Sequence, residues 1–193
     1  MDVSENLYAP QRAEGVSATE AQRPFYTVSR TKFLTLFLLT FGSYQLYWAY
    51  KNWQQFKQAS GKEMWPIARA LFAIFFTHAL YREANARIKQ NGTTYDWRPG
   101  ELATLYVVIA IISNVLDSLV RKNIGFPTID LISLALLPLH GWVTWQGQRG
   151  LNKAAGDPLG ESNARLTPIN YVFIVLGVLL WALMVFSFTL PPE

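Results

Sequence analysis

The chain of 193 residues contains no cysteine. Disulfide bonds, thiolate catalysis and metal sites built on cysteine are therefore excluded. Charged residues are also scarce, at 16% of the chain, against roughly 25% in an average soluble domain. The deficit is uneven, because the first thirty residues and a few short loops hold most of the charge. The long segments between them have no charged face, which is atypical of a soluble fold.

The familiar motifs of enzyme chemistry are missing as well. The chain has no H-E-x-x-H, no G-x-S-x-G and no glycine-rich phosphate loop. Its two histidines, His78 and His140, lie in different segments without metal-ligand spacing. We therefore expect no enzyme activity, no cofactor and no metal site. The competing hypothesis of a membrane enzyme would depend on charged residues of one region, namely Arg82, Glu83, Arg87, Asp96 and Glu101.

Five apolar segments approach the ~20 residues that a helix needs to cross ~30 Å of hydrocarbon. The second segment is short and contains Arg69 and His78, so a tilted span, a re-entrant segment and an interfacial helix are alternatives there. The pattern predicts an all-α, polytopic transmembrane helical bundle of four to five spans, with amphipathic helix extensions at the membrane interface. The spans cover residues 33–50, 66–80, 102–120, 129–145 and 169–190.

The polar N-terminal residues and the basic residues of the loops determine the predicted organisation and orientation of the chain. Residues 1–28 are polar and too poor in apolar surface to fold alone, which predicts a disordered tail before a membrane domain at 29–193. With five spans, the tail and the loops 81–101 and 146–168 contain more Lys and Arg than the opposite segments. This bias predicts a cytoplasmic N-terminus. With four spans, the side of the C-terminus stays open.

Aromatic residues are concentrated in the stretch TFGSYQLYWAYKNW, residues 40–53. At ~100° per residue, Tyr50, Trp53 and Phe56 share one helical face, and lysine and glutamine side chains take the other. Trp and Tyr favour the membrane interface because they combine an apolar ring with a polar tip. The pattern predicts an interfacial aromatic anchor of Tyr47, Trp48, Tyr50, Trp53 and Phe56. Too few basic residues interleave with these rings for a nucleic-acid surface, so no nucleic-acid partner is expected.

Four polar side chains within the predicted spans form a candidate intramembrane cluster: Arg69, Asn114, Asp117 and His140. Polar groups at this depth are costly and usually functional. Each also has a structural alternative. Arg69 could extend to the headgroups, Asp117 could pair with Arg121 at i, i+4, and His140 could donate to a carbonyl freed by Pro138.

The aromatic stretch carries the pattern T-F-G-x-Y-x-x-Y-W-x-Y-K-N-W. By this pattern the chain resembles a family of small multi-pass bacterial inner-membrane proteins that has no assigned activity. The residues that match are Thr40, Phe41, Gly42, Tyr44, Tyr47, Trp48, Tyr50, Lys51, Asn52 and Trp53. A similar arrangement at Gln146, Asn152 and Asn170 extends the likeness over most of the chain. The resemblance implies a bacterial inner-membrane location and supplies no catalytic residues.

Two hypotheses of function follow. The favoured one is a non-enzymatic scaffold or partner-binding membrane component, whose few polar groups are satisfied locally. The alternative is a small transporter or channel subunit, which would use the four-residue polar cluster as its lining. The expected partners are the lipid bilayer, anionic lipid headgroups, and a protein partner or further copies of the chain.

Overall fold

The computed structural model describes residues 23–187 and residue 189. Within these residues there are seven α-helices, one 3-10 helix at Glu161–Asn163, and no strand, which confirms the all-α prediction. The α-helices are α1 (Arg30–Leu39), α2 (Tyr44–Ser60), α3 (Pro66–Leu71), α4 (Ala73–Gln90), α5 (Pro99–Arg121), α6 (Thr128–Ala154) and α7 (Pro168–Ser187).

Local sequence signals set most helix ends. Pro66, Pro99 and Pro168 begin α3, α5 and α7, where the missing N–H of proline costs no helical hydrogen bond. The Ser29 hydroxyl accepts the Lys32 N–H at 3.4 Å and caps α1. Gly61 ends α2 with φ of +67°, a left-handed conformation that glycine adopts without steric cost.

The first predicted span, 33–50, is interrupted, so the prediction of one continuous helix is wrong. α1 ends at Leu39, α2 begins at Tyr44, and Gly42 lies between them with φ of +79°. The Phe33 ring of α1 contacts the rings of Tyr44 and Trp48 in α2, at 5.8 and 6.4 Å between centroids. α1 and α2 therefore fold back on each other as a helical hairpin.

The second predicted span, 66–80, also fails as a single helix. It is divided between the six-residue α3 and the start of α4, which continues to Gln90. Among the described residues, two helical segments are long and apolar enough to cross a membrane, Pro99–Arg121 and Pro168–Phe186. They correspond to the predicted spans 102–120 and 169–190, and the segment 129–145 lies within the longer α6. The bundle of four to five spans is not confirmed.

The molecule has two regions, which we call the head and the apolar half. α5 and α6 run antiparallel through both, since Tyr106 lies beside His140 and Asp117 beside Ser133. The head contains most of the buried residues, and comprises residues 23–28, 44–60, 77–98, 99–110 and 140–165. The apolar half comprises residues 111–139 and 168–187, where large aliphatic side chains are mostly exposed. Only 6% of the apolar window of α7 is buried, which is far too little for the core helix of a soluble protein.

Residues 23–28 belong to the head, so the predicted boundary of the disordered tail at residue 28 is wrong. Phe25 and Val28 are fully buried, and Phe25 stacks on Phe56 of α2 at 5.5 Å. These apolar side chains give the segment enough buried area to order it. The rest of the predicted tail, residues 1–22, lies outside the described residues.

Buried carboxamides hold this extended segment between α2 and α6. Asn152 accepts the Val28 N–H at 3.2 Å and donates to the Val28 carbonyl at 2.9 Å. Asn52 accepts the Tyr26 N–H at 3.2 Å, and Gln148 donates to the Tyr26 carbonyl at 2.8 Å. The side chains thus replace a neighbouring strand, because they satisfy both backbone groups of alternate residues.

Candidate functional site

A cavity of about 620 Å³ lies where the apolar half meets the head, and we call it the acidic cavity. Its walls come from the turn between α1 and α2, from α5 and α6, and from Met184 of α7. Asn114, Asp117 and His140 line it together. The structure therefore brings together three of the four members of the predicted polar cluster.

The turn at residues 40–43 closes one side of the acidic cavity. Its backbone groups are paired: the Gly42 N–H donates to the Phe37 carbonyl at 2.8 Å, and the Tyr44 N–H donates to the Thr40 hydroxyl at 3.0 Å. The indole N–H of Trp181 donates to the Leu38 carbonyl at 3.1 Å. The protein thus satisfies backbone groups that the break between α1 and α2 would otherwise leave unpaired.

His140 is nine-tenths buried, with 9% of its surface exposed. Its ring lies between Phe37 and Tyr106, with centroid separations of 5.5 and 5.6 Å and both contacts edge-on. Nε2 has no hydrogen-bond partner among the described residues. Nε2 is itself screened from solvent, and a buried ring nitrogen without a partner costs free energy.

Asp117 accepts a hydrogen bond from the Ser133 hydroxyl at 2.9 Å. This bond joins α5 to α6, whereas the predicted alternative, an ion pair with Arg121, does not form within 4.0 Å in the described structure. Asn114 donates to the Ala110 carbonyl of its own helix at 2.7 Å. Asp117 is therefore held toward α6 by a hydroxyl group.

Arg69 does not join the cluster, and this part of the prediction is wrong. Its guanidinium lies over the Trp53 ring at 4.3 Å and over the Phe76 ring at 5.1 Å. α3 packs on α2, which places Arg69 against aromatic faces that attract a cation. Arg69 is thus satisfied locally, on a different side of the molecule from the acidic cavity.

The predicted aromatic anchor lies mostly inside the protein. Trp48, Trp53 and Phe56 are buried in the head, and the Trp48 indole N–H donates to the Gln148 amide oxygen. The prediction that these three face lipid is wrong, because their rings contact Phe33 of α1, Phe76 of α4 and Phe25. Of the other two, Tyr47 is half exposed and Tyr50 is partly buried.

A different aromatic and aliphatic surface is exposed around α3. Trp65 is 80% exposed, and its exposed apolar neighbours are Ile67, Leu71, Phe72 and Phe75. Sequence reasoning placed this stretch in a span and missed its exposure. The proline at position 66 and the following short apolar run were the available signals.

Sequence reasoning also missed several residues of the acidic cavity. Asp130 and Ser133 of α6 line it, and so do Ser43 and Gln45 beside the turn. Gly42, a glycine inside an apolar run, was the signal for the turn. Asp130 and Ser133 lie one turn apart on α6, as Asn114 and Asp117 do on α5, and this matched spacing on two neighbouring helices was the signal for a shared face.

The loop after α6 carries a second polar site in the head. Asp157 accepts backbone N–H groups of Glu161 and Ser162 at 3.0 and 3.1 Å, and Arg23 lies 3.4 Å from it. Burial alone would raise the pKa of the Asp157 carboxyl. The hydrogen bonds from Ser162 and Glu161, with the Arg23 charge, outweigh burial and hold this pKa below its ordinary value. Asp157 therefore fastens the loop and residue 23 together.

Comparison of the chain with protein-family models, with curated proteins and with solved structures finds no match. The resemblance based on the aromatic stretch stays a prediction. The structure nevertheless shows a structural role for several residues of the pattern. Thr40 to Gly42 form the turn, Tyr44, Trp48 and Trp53 are buried, and Asn52 binds the Tyr26 backbone. Within the described residues, no three His, Asp or Glu side chains lie close enough to hold a metal ion.

Proposed function

We propose that this protein is a small transporter or channel subunit for cations, embedded in a bacterial inner membrane. The observation that carries the proposal is the acidic cavity, which collects Asn114, Asp117 and His140 from two helices beside an interrupted helix. Polar groups gathered at membrane depth around such a break are typical of solute paths.

The exposed aliphatic surface supports the membrane location. α7 and the neighbouring ends of α5 and α6 present Val, Leu and Ile side chains outward. In water this surface would lose the stabilisation of about 25 cal/mol per Å² that apolar burial provides, and lipid removes that cost. In the proposed arrangement α5, α6 and α7 cross the bilayer, and the α1–α2 hairpin enters and leaves on the side of the head.

The distribution of basic residues supports a cytoplasmic head and N-terminus. The turn between α5 and α6 at the far end carries Arg121 and Lys122. The head carries Arg23, Lys51, Lys57, Arg82, Arg87, Lys89, Arg98, Arg149, Lys153 and Arg165, and Lys62 follows shortly after the end of α2. Because α2 returns to the head, Lys57 and Lys62 lie on the same side as residue 23 and strengthen the bias. The side of the membrane that holds the head therefore has many more Lys and Arg residues than the side that holds the far turn. This bias does not depend on whether three or more helices cross.

The charge of the cavity lining supports a cationic solute. Asp117 and Asp130 line it, and no Lys or Arg does among the described lining residues. Asp130 and His140 are ten positions apart on α6, or ~15 Å along its axis. The carboxylates thus lie near the far end, where they concentrate cations, and His140 lies deeper, beside the turn.

The scaffold hypothesis remains the second candidate, and one observation favours it. Arg69 is satisfied by Trp53 and Phe76, and the exposed residues around α3 offer a surface for another membrane protein. The transporter hypothesis predicts cation flux across the membrane, and the scaffold hypothesis predicts none.

The test is cation uptake into vesicles that contain the purified full chain. We expect uptake of methylammonium or K⁺ above that of empty vesicles. Asp117→Asn should lower it about tenfold, the factor for losing roughly 1.4 kcal/mol of interaction. Asp96→Asn removes the same charge from an exposed loop residue outside the cavity and should leave uptake unchanged. Uptake equal to that of empty vesicles would favour the scaffold.

A further inference from the structure

The chain folds back on itself between α2 and the second half of α4, and we call residues 62–83 the α3–α4 hairpin. Its two ends meet in an ion pair, in which the Lys62 Nζ lies 3.1 Å from a carboxylate oxygen of Glu83. The chain reverses at Phe72, between α3 and α4. Phe72 precedes Glu83 by eleven positions, which is ~16 Å along the axis of α4. The hairpin therefore has a charged base, and its tip lies well away from that base.

The surface of the hairpin becomes more apolar from the base to the tip. Leu71, Phe72 and Phe75 form the tip, and each of these side chains is more than half exposed. Trp65 and Ile67, which precede the tip on the α3 side, are exposed as well. Large apolar side chains that lie together on a surface mark a site of contact with a membrane or with another protein.

The hairpin has one charged side chain between its ends, and that side chain lies against α2. Residues 64–81 contain no Asp, Glu or Lys, and Arg69 is their only arginine. The Arg69 guanidinium lies over the rings of Trp53 and Phe76, at 4.3 and 5.1 Å, and such ring faces attract a cation. The exposed side of the tip therefore carries no charge.

Two contacts between α4 and the start of α5 give the depth of the tip. The Trp97 indole N–H donates to the Asn85 amide oxygen at 3.0 Å, and the His78 Nε2 lies 3.1 Å from the Thr104 hydroxyl. α4 and α5 are thus antiparallel, and the same register places Phe72 level with a point about six residues beyond Thr104 on α5. This level is the border between the head and the apolar half. At the same depth, α5 also exposes aliphatic side chains.

The backbone at the reversal is suited to an apolar environment. The Phe72 N–H donates to the Ala68 carbonyl at 3.0 Å, and the Phe72 carbonyl accepts the Phe75 N–H at 3.0 Å. The Thr77 hydroxyl donates to the Ala73 carbonyl at 2.7 Å. Irregular backbone requires internal pairing of this kind in hydrocarbon, where no water replaces a missing partner.

We propose that the tip of the α3–α4 hairpin inserts among the acyl chains of the leaflet beside the head, and that the hairpin returns to the head without crossing the membrane. The proposal rests on the membrane location proposed above and not on transport. Lipid is the expected occupant because the lipid that covers α5 at this depth also reaches the tip. One leaflet supplies ~15 Å of hydrocarbon, which is comparable to the distance from Glu83 to Phe72. Trp65 then lies nearer the headgroups, a position that indole rings favour.

The test uses nitroxide labels on single cysteines of the full chain, in vesicles of phosphatidylethanolamine and phosphatidylglycerol. Leu71→Cys and Phe75→Cys report on the tip, Trp65→Cys on the α3 side, Ser60→Cys on the head and Leu179→Cys on α7. Paramagnetic resonance compares collisions with oxygen, which dissolves in lipid, and collisions with a water-soluble nickel chelate. We expect the oxygen-to-nickel ratio of both tip labels to approach that of Leu179→Cys and to exceed that of Ser60→Cys. Trp65→Cys should give a ratio between these two.

Each other outcome overturns the insertion in a recognisable way. A Phe75→Cys label that collides with nickel as often as the Ser60→Cys label would place the tip in water. Shielding of the tip labels from both reagents would show that protein covers the tip, and dipolar broadening between labels would then identify a second copy of the chain. If Leu179→Cys reads as lipid in either case, only the inserted hairpin is refuted. A Leu179→Cys label in water would instead refute the membrane location on which the hairpin depends.

Discussion

The head and the apolar half differ in what surrounds their helices. In the head, aromatic rings fill the interior and carboxamides link distant segments, as where Asn152 binds Val28. In the apolar half, helices present aliphatic side chains outward, and Asn114, Asp117 and Ser133 line one cavity. The head satisfies its own packing and hydrogen bonds, whereas the apolar half leaves much of its aliphatic surface uncovered. In the membrane arrangement that we propose, lipid covers that surface.

The largest predicted difference between the two regions is the loss of stability caused by the same leucine-to-alanine substitution in each. Leu151 is fully buried in the head and Leu179 is 56% exposed on α7. Leu151→Ala should lower the free energy of unfolding by about 2–5 kcal/mol through lost burial and a cavity. Leu179→Ala should change it by less than about 0.5 kcal/mol, as at exposed sites. Thermal unfolding in lipid nanodiscs measures both, and similar losses would remove the distinction.

The next prediction concerns the carboxamides of the head. Asn152→Leu leaves the Val28 N–H and carbonyl without their partner and removes the contact with Gln148. With about 1 kcal/mol per lost hydrogen bond, we expect a loss near 3 kcal/mol. Hydrogen exchange at Val28 should also become fast. Asn91→Leu, at the exposed end of α4, is the control, and unchanged protection of Val28 in Asn152→Leu would contradict the assignment.

Glycines on α6 give a third test of close packing in the head. At Gly150, a Cβ would overlap the Trp97 ring, whereas at Gly100 on α5 it would meet nothing within 4 Å. Gly150→Ala should therefore cost about 1–3 kcal/mol through overpacking. Gly100→Ala should stabilise by about 0.4–1 kcal/mol through the unfolded chain. Chemical unfolding of the two variants side by side gives the signs, and a stabilising Gly150→Ala would refute the packing.

The smallest effect is a pH dependence at Asp157. Its pKa is lower in the folded protein than in the unfolded chain, so its stabilisation is present above the ordinary carboxyl pKa of about 3.9. The stabilisation is lost as pH falls through the lower folded value. Asp157→Asn should therefore be less stable than the unaltered protein at pH 7, and the difference should shrink below about pH 4. A difference that stays constant down to pH 3 would contradict this role.

Sequence patterns predicted some of this architecture because they depend on local physics. The long apolar runs of α5 and α7 needed no knowledge of distant contacts. Hydropathy could not show that Gly42 reverses the chain, because an apolar hairpin and an apolar span have the same composition. The aromatic face of α2 was visible, but a face that binds lipid and one that binds protein have the same periodicity.

The candidate site was predicted in part for similar reasons. Asn114, Asp117 and His140 lie on α5 and α6, which follow each other in the chain and pack antiparallel. Arg69 was misplaced because its position depends on the packing of α3 on Trp53. The order of residues 23–28 was missed because the partner of Val28 is Asn152, which is 124 positions away.

The most direct test of the account is the side of the membrane on which α2 ends. The chain has no cysteine, so single cysteines report without background. Ser60→Cys at the end of α2 and Lys122→Cys in the far turn are both at exposed positions. With an impermeant thiol reagent on intact cells, we expect Lys122→Cys to be labelled and Ser60→Cys to be labelled only after permeabilisation. Labelling of Ser60→Cys from outside would contradict the hairpin and restore a continuous first span.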